Sequence, residues 1–125
     1  MTYFRIQPAD RPVEALLDEA NWESREWFTE KYVECCGDPD CADCDGTGER
    51  EDVRHGVSTC DSLDALIAYF QLVGGDLDGT VLVELDATRA HDLDHDHEVG
   101  AILVHPHRIV SVTPTPEHVV TAILA

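Results

Sequence analysis

The chain has 125 residues, which suffices for one domain with a single hydrophobic core and is too short for two ordinary domains. Its 26 Asp and Glu against 8 Lys and Arg give a formal net charge of −18. This charge argues against direct contact with a nucleic-acid backbone, because phosphate binding needs clustered Lys and Arg. No stretch approaches the ~18 consecutive apolar residues of a membrane span, and the N-terminus has no basic start followed by an apolar run. We therefore expect a soluble, cytoplasmic protein that does not bind membranes.

The acidity itself has two interpretations. It is typical of a well-hydrated surface in an organism whose proteins are all rich in Asp, in which case it reports solubility and says nothing of function. Alternatively, the chain is a DNA-mimicking inhibitor that occupies the DNA-binding surface of another protein. Acidic residues are spread along the whole chain, so the sequence leaves both interpretations open.

The first predicted element is a strand at residues 3–7, where β-forming residues alternate between two faces and Pro8 ends the run. Asp10 is then a predicted helix N-cap, with Pro12 in the first turn. The stripe that follows at helical spacing consists of Val13, Leu16, Leu17, Ala20, Ser24, Trp27 and Phe28. It predicts one long helix or two abutting helices before the cysteine-rich segment.

After a charged connector at 49–54, residues 57–59 predict a short strand. Residues 61–64 supply a cap and an acidic first turn for a helix, which residues 74–75, both glycine, bring to an end. Residues 80–86 predict the next strand, with its valines and Leu85 pointing inward.

Two further strands are predicted at 101–104 and 109–112, separated by Pro106, and a last helix is predicted to begin at Pro116. Helices thus dominate the first half and strands the second. The predicted fold class is α+β: a single domain, 1–125, with a small, mostly antiparallel sheet, two or three helices and a zinc-knuckle insertion at 34–50.

Four of the five cysteines lie in that insertion and are the predicted zinc ligands: Cys35, Cys36, Cys41 and Cys44. Zinc takes four Cys or His ligands in a tetrahedron, and the last three of these cysteines can reach one ion without strain. Neighbouring residues seldom bind the same ion, so His55 or Cys60 is an alternative fourth ligand. Free thiols in a loop remain the other interpretation, whereas a secreted disulfide framework does not fit an odd, clustered set.

The pattern Cys41-Ala42-Asp43-Cys44-Asp45-Gly46-Thr47-Gly48 resembles one repeat of the cysteine-rich domain of DnaJ-type chaperones. Only these eight residues match, and that domain pairs several repeats where this chain has one. The resemblance implies a structural zinc ion in a knuckle turn and no chaperone role. Removal of the metal is expected to loosen the domain.

A second polar segment alternates acids and histidines: His91, Asp92, Asp94, His95, Asp96 and His97. Its three aspartates mimic the start of a calcium loop. The match fails where His97 replaces the required glycine, and again where Leu103 replaces the bidentate glutamate. The sequence favours a polar hairpin loop over a second metal site at the histidines.

The order of Arg5 on a first strand, residues 56–62 leading from strand to helix, and late strands at 80–85 and 101–106 resembles the layout of ADP-ribosyltransferases. In the arginine-serine-glutamate class of that family, an arginine grips NAD phosphates. A Ser-Thr-Ser segment supports the nicotinamide ribose, and a glutamate drives transfer.

This resemblance implies NAD as ligand and assigns the first two roles to Arg5 and Ser58. Thr59 holds the second position of the serine motif, and Cys60 stands where its third member belongs. Glu98 is the acid nearest the glutamate position, displaced by one or two residues. The displacement changes which strand face a side chain occupies, so either an active or a degenerate site is consistent with the sequence.

The common catalytic and nucleotide-binding fingerprints are absent from the sequence. The favoured function is therefore a zinc-stabilised acidic domain that acts by binding another macromolecule, a protein partner. The alternatives are an ADP-ribosyltransferase-like NAD-binding protein and a DNA-mimicking inhibitor.

Overall fold

The computed structural model describes residues 1–22, 32–34, 36–42, 46, 48–51, 54–94 and 96–125. The strands are β1 (Thr2–Pro8), β2 (Tyr32–Glu34), β3 (Glu49–Glu51), β4 (Val57–Thr59), β5 (Thr80–Arg89) and β6 (Ile102–Pro114). The α-helices are α1 (Leu63–Val73) and α2 (Glu117–Leu124), and 3₁₀ helices lie at Val13–Leu17, Glu19–Asn21 and His97–Val99. The predicted α+β class is confirmed.

The main sheet is antiparallel, in the order β1-β5-β6-β4. The sheet is curled, and its two edge strands, β1 and β4, approach each other at one end. Phe4 and Cys60 form two backbone hydrogen bonds there, with N to O distances of 2.8 and 2.9 Å. The end of β4 therefore lies beside β1 although 53 positions separate Arg5 from Ser58. Strands β2 and β3 form a separate two-stranded ladder, in which Glu34 lies opposite Glu49.

The curled sheet has a hydrophobic core on each side. The core beneath the first 3₁₀ helix consists of Tyr3, Leu16, Trp22, Val57, Val83, Leu85, Ala87 and Val104. The core beneath α1 and α2 consists of Ile6, Cys60, Leu66, Val119 and Ile123. Strand β1 contributes to both cores, through Tyr3 and Ile6, and is therefore covered on both faces. Its polar residues Arg5 and Gln7 are buried as well.

Several predicted boundaries are confirmed. Ser62 caps α1, and its side chain accepts a hydrogen bond from the Ala65 N–H at 3.0 Å. Gly74 ends the helix with a φ of 73°, a conformation that costs little without a Cβ. Helix α2 begins directly after Pro116. Within the described part of the chain, no helix combines the length and apolarity needed to cross a membrane.

Two predictions about local structure are wrong. The stripe from Val13 predicted one long helix or two abutting helices, and the first alternative is wrong for residues 13–21. Two short 3₁₀ helices abut there, because Asp18 is extended and its side chain accepts the Ala20 N–H to begin a new turn. The later stripe residues Ser24, Trp27 and Phe28 lie outside the described residues.

Pro106 does not divide β6. It pairs with Ala87 inside one continuous strand, and the register with β5 shifts between Glu84 and Leu85 and again between Asp86 and Ala87. These shifts place an extra residue in β6 on each occasion, which is the geometry of a β-bulge. A bulge accommodates a proline that an even ladder would exclude.

Candidate functional site

A pocket of about 240 Å³ opens between β1, β4, α1 and the segment that precedes β6. Its polar wall consists of Arg5, Ser58, Thr59, Cys60, Tyr69 and Asp96. Its apolar wall consists of Ile6, Leu66, Phe70, Val73 and Ala101. Polar and apolar side chains thus line this pocket in nearly equal number, and a concave pocket with several convergent polar groups is typical of small-molecule sites.

Arg5 is only 8 % exposed, which is rare for a guanidinium. Its Nε donates to Gln7 Oε1 at 2.9 Å, and its Nη1 donates to the Ser58 carbonyl at 3.0 Å. The pKa of Arg5 is lowered to about 10, first by burial and then by nearby Arg11, although Tyr69 and Asp94 act in the opposite direction. The side chain therefore remains a buried cation at neutral pH.

Asp94 lies next to this arginine in the network and is 1 % exposed. It accepts the Ser58 hydroxyl at 2.7 Å and the Asp96 N–H at 2.9 Å. A buried carboxylate needs such donors and a nearby cation to offset its lost hydration. Asp94 thus holds Ser58 and the chain around Asp96 against β4.

Tyr69 connects this network to helix α1, since its hydroxyl donates to Asp96 Oδ2 at 2.7 Å. Burial and the bond to Asp96 raise the pKa of Tyr69. Burial also raises the pKa of Cys60 to about 12, with Asp61 and Asp94 adding to the effect. Both groups are protonated at neutral pH, so the Cys60 thiol is not a reactive nucleophile.

The aspartates of the acid and histidine segment do not converge on one point. Asp92 accepts the backbone N–H of His55 at 3.1 Å, whereas Asp94 bonds β4 and Asp96 bonds α1. The segment therefore forms hydrogen bonds with three different parts of the fold: His55, β4 and α1. Among the residues that the structure describes, no group of three or more His, Cys, Asp or Glu is arranged to hold a metal ion.

The structure brings Arg5 and Ser58 together, as their common assignment to one site requires. Thr59 and Cys60 line the same pocket. Glu98 lies on the exposed 3₁₀ helix His97–Val99 and is not part of the lining, where Asp96 is the acid instead. Whether any of these residues acts in catalysis stays a prediction.

Tyr69 and the buried role of Asp94 were not predicted from the sequence. A tyrosine beside the apolar face of a predicted helix carries no signal of its own. The acid and histidine segment was predicted to be a polar hairpin loop, with a metal site as the alternative, and neither interpretation indicates that Asp94 is buried.

The described cysteines of the insertion lie in a tight turn. The Asp38 N–H donates to Cys36 Sγ at 3.5 Å, and the Cys41 N–H donates to the Asp38 carbonyl at 2.9 Å. Gly46 packs against this turn with a φ of 83°, and a Cβ there would lie 3.3 Å from the Pro39 Cα. An N–H directed at sulfur stabilises a thiolate, so the turn fits a metal-bound Cys36.

Of the other predicted ligands, the structure describes Cys60 and His55. Cys35 and Cys44 fall outside the described residues. Cys60 is in the core beneath the helices, and His55 packs edge-on against Trp22 and His105, with ring centroids 5.8 and 5.6 Å apart. Cys60 and His55 thus lie in other surroundings than the turn of Cys36 and Cys41. The zinc site itself stays a prediction.

A second aromatic contact explains the burial of Trp22. Its indole stacks on His105 at a centroid distance of 4.6 Å and an angle of 4°, and its Nε1 donates to the Leu16 carbonyl at 2.8 Å. The Nε2 of His105 is buried and has no hydrogen-bond partner among the described residues. This cluster lies on the face of the sheet away from α1 and α2.

Comparison of the chain with protein-family models, with curated proteins and with solved structures finds no match.

Proposed function

We propose that this protein binds a small polar ligand in the pocket between β1, β4 and α1. The ligand implied by the resemblance to ADP-ribosyltransferases is the nicotinamide riboside portion of NAD. The observation that supports this best is the direct bond from Arg5 to the Ser58 carbonyl at 3.0 Å, between residues 53 positions apart. The resemblance assigns both residues to one nucleotide site, and the fold places both on one pocket wall.

The size of the pocket limits what it can enclose. Its volume of about 240 Å³ is below the roughly 300–1,000 Å³ of pockets that hold drug-sized ligands. One ring with its substituents fits this volume, and the remainder of a dinucleotide would lie outside it.

The proposal is binding without transfer. Glu98, the acid implied for catalysis, is exposed on the 3₁₀ helix and not in the lining. Asp96, which is in the lining, accepts the Tyr69 hydroxyl and is thereby positioned as part of the wall. A bound NAD would therefore meet Asp96, which is bonded to the Tyr69 hydroxyl, and not Glu98.

A ligand-observed NMR titration of the zinc-replete protein with NAD tests this proposal, with nicotinamide release followed in the same spectra. We expect NAD signals to broaden and no nicotinamide to appear. Arg5→Lys should weaken binding at least about tenfold, because lysine cannot reproduce the fork of donors. The control is Arg108→Lys, an exposed arginine on β6 outside the pocket.

Absence of NAD binding to the folded protein would refute the proposal. Release of nicotinamide would show an enzyme, and Glu98→Gln would then decide the catalytic residue. If transfer survived Glu98→Gln, the catalytic role implied for Glu98 would be wrong.

A second candidate function is binding of a basic protein partner, with DNA mimicry as its sharpest form. Eight Lys and Arg cannot neutralise 26 carboxylates, so the surface is strongly negative whatever the local pairing. Retention of a basic DNA-binding protein on the immobilised chain at low salt, lost at high salt, would support it. Absence of retention at low salt would refute it.

A further inference from the structure

The wall of the pocket includes a corner made of two aromatic rings and a carboxylate. Tyr69 and Phe70 meet edge to face, with ring centroids 5.6 Å apart and an interplanar angle of 81°. Both rings are partly exposed and line the pocket together with Asp96. Aromatic faces and a carboxylate attract cations through the ring quadrupole and through charge.

The charged group at the aromatic corner is a carboxylate, because Asp96 accepts the hydroxyl of Tyr69. Arg5 supplies one positive charge, and at least two of its donors are directed to Gln7 and to the Ser58 carbonyl. Asp94 lies next to Ser58, and Asp96 is in the wall itself. A second guanidinium, that of Arg11, lies near Arg5, so the two carboxylates do not outnumber the guanidinium groups. The carboxylate at the aromatic corner, Asp96, is bonded to a neutral phenol.

The pKa values of two neutral acids in the wall are both raised. The pKa of Cys60 is raised to about 12 by burial, then by Asp61 and Asp94. The pKa of Tyr69 is raised by burial, then by its bond to Asp96 and the charge of that group and of Asp94. Burial, the largest cause, disfavours any charge here and also lowers the pKa of Arg5, so only the smaller contributions of the aspartates favour a positive group.

We propose that this pocket selects a flat organic cation, such as an N-alkylated pyridinium, over the neutral ring of the same shape. The cationic ring would lie at the corner of Tyr69 and Phe70, with Asp96 beside it. The inference rests on the proposed function only in taking the pocket as a ligand site. It concerns the charge of the ligand and does not require NAD.

Two ligands of nearly equal shape provide the test: 1-methylnicotinamide, which is a cation, and nicotinamide, which is neutral. Both are titrated by ligand-observed NMR against the full, zinc-replete chain. We expect the cation to bind at least about tenfold more tightly, which is within the range of a cation held by aromatic faces and a carboxylate. The preference should decrease as salt is raised.

Matched variants locate the effect. Asp96→Asn keeps an acceptor for the Tyr69 hydroxyl but removes the charge, so it should abolish the preference. Asp78→Asn removes one charge from an exposed turn outside the pocket and should leave the preference intact. Tyr69→Phe removes the hydrogen bond but keeps the ring and the Asp96 charge, so it should retain the preference.

The outcomes separate this inference from the proposed function. Equal binding of the two rings, or tighter binding of nicotinamide, overturns the charge selectivity and leaves the pocket as a ligand site. Binding of 1-methylnicotinamide without binding of NAD overturns the nicotinamide dinucleotide proposal and supports this one. If neither ring binds to the folded wild-type chain, the charge selectivity and the proposed ligand site are both overturned. This outcome is measured on the wild type alone, so it does not depend on whether any variant folds.

Discussion

The pocket and the cysteine hairpin, defined as β2, β3 and the described residues between them, differ in what holds them in place. Pocket groups are bonded over long distances in the sequence: Ser58 to Asp94 across 36 positions, and Tyr69 to Asp96 across 27. In the hairpin, the bonds that the structure describes are local, as between Cys41 and Asp38. The pocket therefore depends on the whole fold, whereas the hairpin depends on a short ladder and, under the zinc proposal, on a metal.

The largest expected effect comes from removing the buried carboxylate of the pocket. Asp94→Ala deprives the Ser58 hydroxyl of its acceptor and the buried Arg5 of a compensating charge. We expect the free energy of unfolding to fall by about 3–5 kcal/mol, measured by chemical denaturation. Zinc content should not change if the hairpin is independent of the pocket.

The control is Asp92→Ala, which removes an exposed carboxylate that accepts one backbone N–H from His55. We expect this change to cost at most about 1 kcal/mol. Equal effects of the two substitutions would show that burial of Asp94 does not hold the pocket together.

The pH dependence of stability provides a second test of the pocket. The fold raises the pKa of Cys60 from 9.0 to about 12, so it favours the protonated thiol. The contribution of this group is complete below about pH 9 and is lost as the pH rises toward 12, with a slope of at most about 1.4 kcal/mol per unit. Arg5, whose pKa is lowered from 12.5 to about 10, contributes in the opposite direction above pH 10.

Between pH 9 and 10 the thiol contributes before Arg5 does, and Cys60→Ala separates its effect from that of Tyr69, whose raised pKa acts in the same direction. We expect the unfolding free energy of the wild type to decrease between pH 9 and pH 10. The decrease should be smaller for Cys60→Ala, even if the two proteins differ in stability at pH 9. Parallel curves for the two proteins would show that Cys60 ionises as freely in the folded chain as in the unfolded chain.

The same contrast between local and long-range bonds explains what could be predicted from the sequence. The strand at residues 3–7 and the Ser62 cap follow from patterns within a few residues, and both are confirmed. The hydroxyl of Tyr69 could not be paired with Asp96 in advance, because only the folded sheet and helix bring them together. Sequence rules also gave a wrong prediction at Pro106, which was expected to end a strand. The residue lies inside β6 because bulges in the sheet accommodate it.

Helix α1 carries both aromatic residues of the pocket, so its local stability can be separated from the long-range bonds. Ser62→Ala removes the side-chain bond to the Ala65 N–H at the start of the helix. We expect a loss of about 1 kcal/mol of unfolding free energy without a change in ligand affinity, because Tyr69 and Phe70 lie later in the helix.

Ser62→Asp, which keeps a capping acceptor, should restore most of the stability. Reduced ligand binding by the folded Ser62→Ala protein would indicate that the pocket depends on helix capping as well as on its own bonds.

The smallest expected effect on the main sheet comes from Cys36→Ser in the hairpin. In the described part of the chain, β2 and β3 pack extensively only on each other. We therefore expect zinc to be lost and proteolysis within 35–48 to increase, while the unfolding free energy of the sheet changes by at most about 0.5 kcal/mol. Metal analysis, limited proteolysis and denaturation of the same samples measure the three quantities.

Cys60→Ala is the matched control for this cysteine, because it removes a thiol from the core beneath the helices. It should lower the stability of the sheet and leave zinc bound, which would also exclude Cys60 as the fourth ligand. If Cys36→Ser lowered global stability with zinc still bound, Cys36 would not be a ligand. If loss of zinc unfolded the whole chain, the hairpin would belong to the same cooperative unit as the pocket, and the contrast between local and long-range stabilisation would not hold.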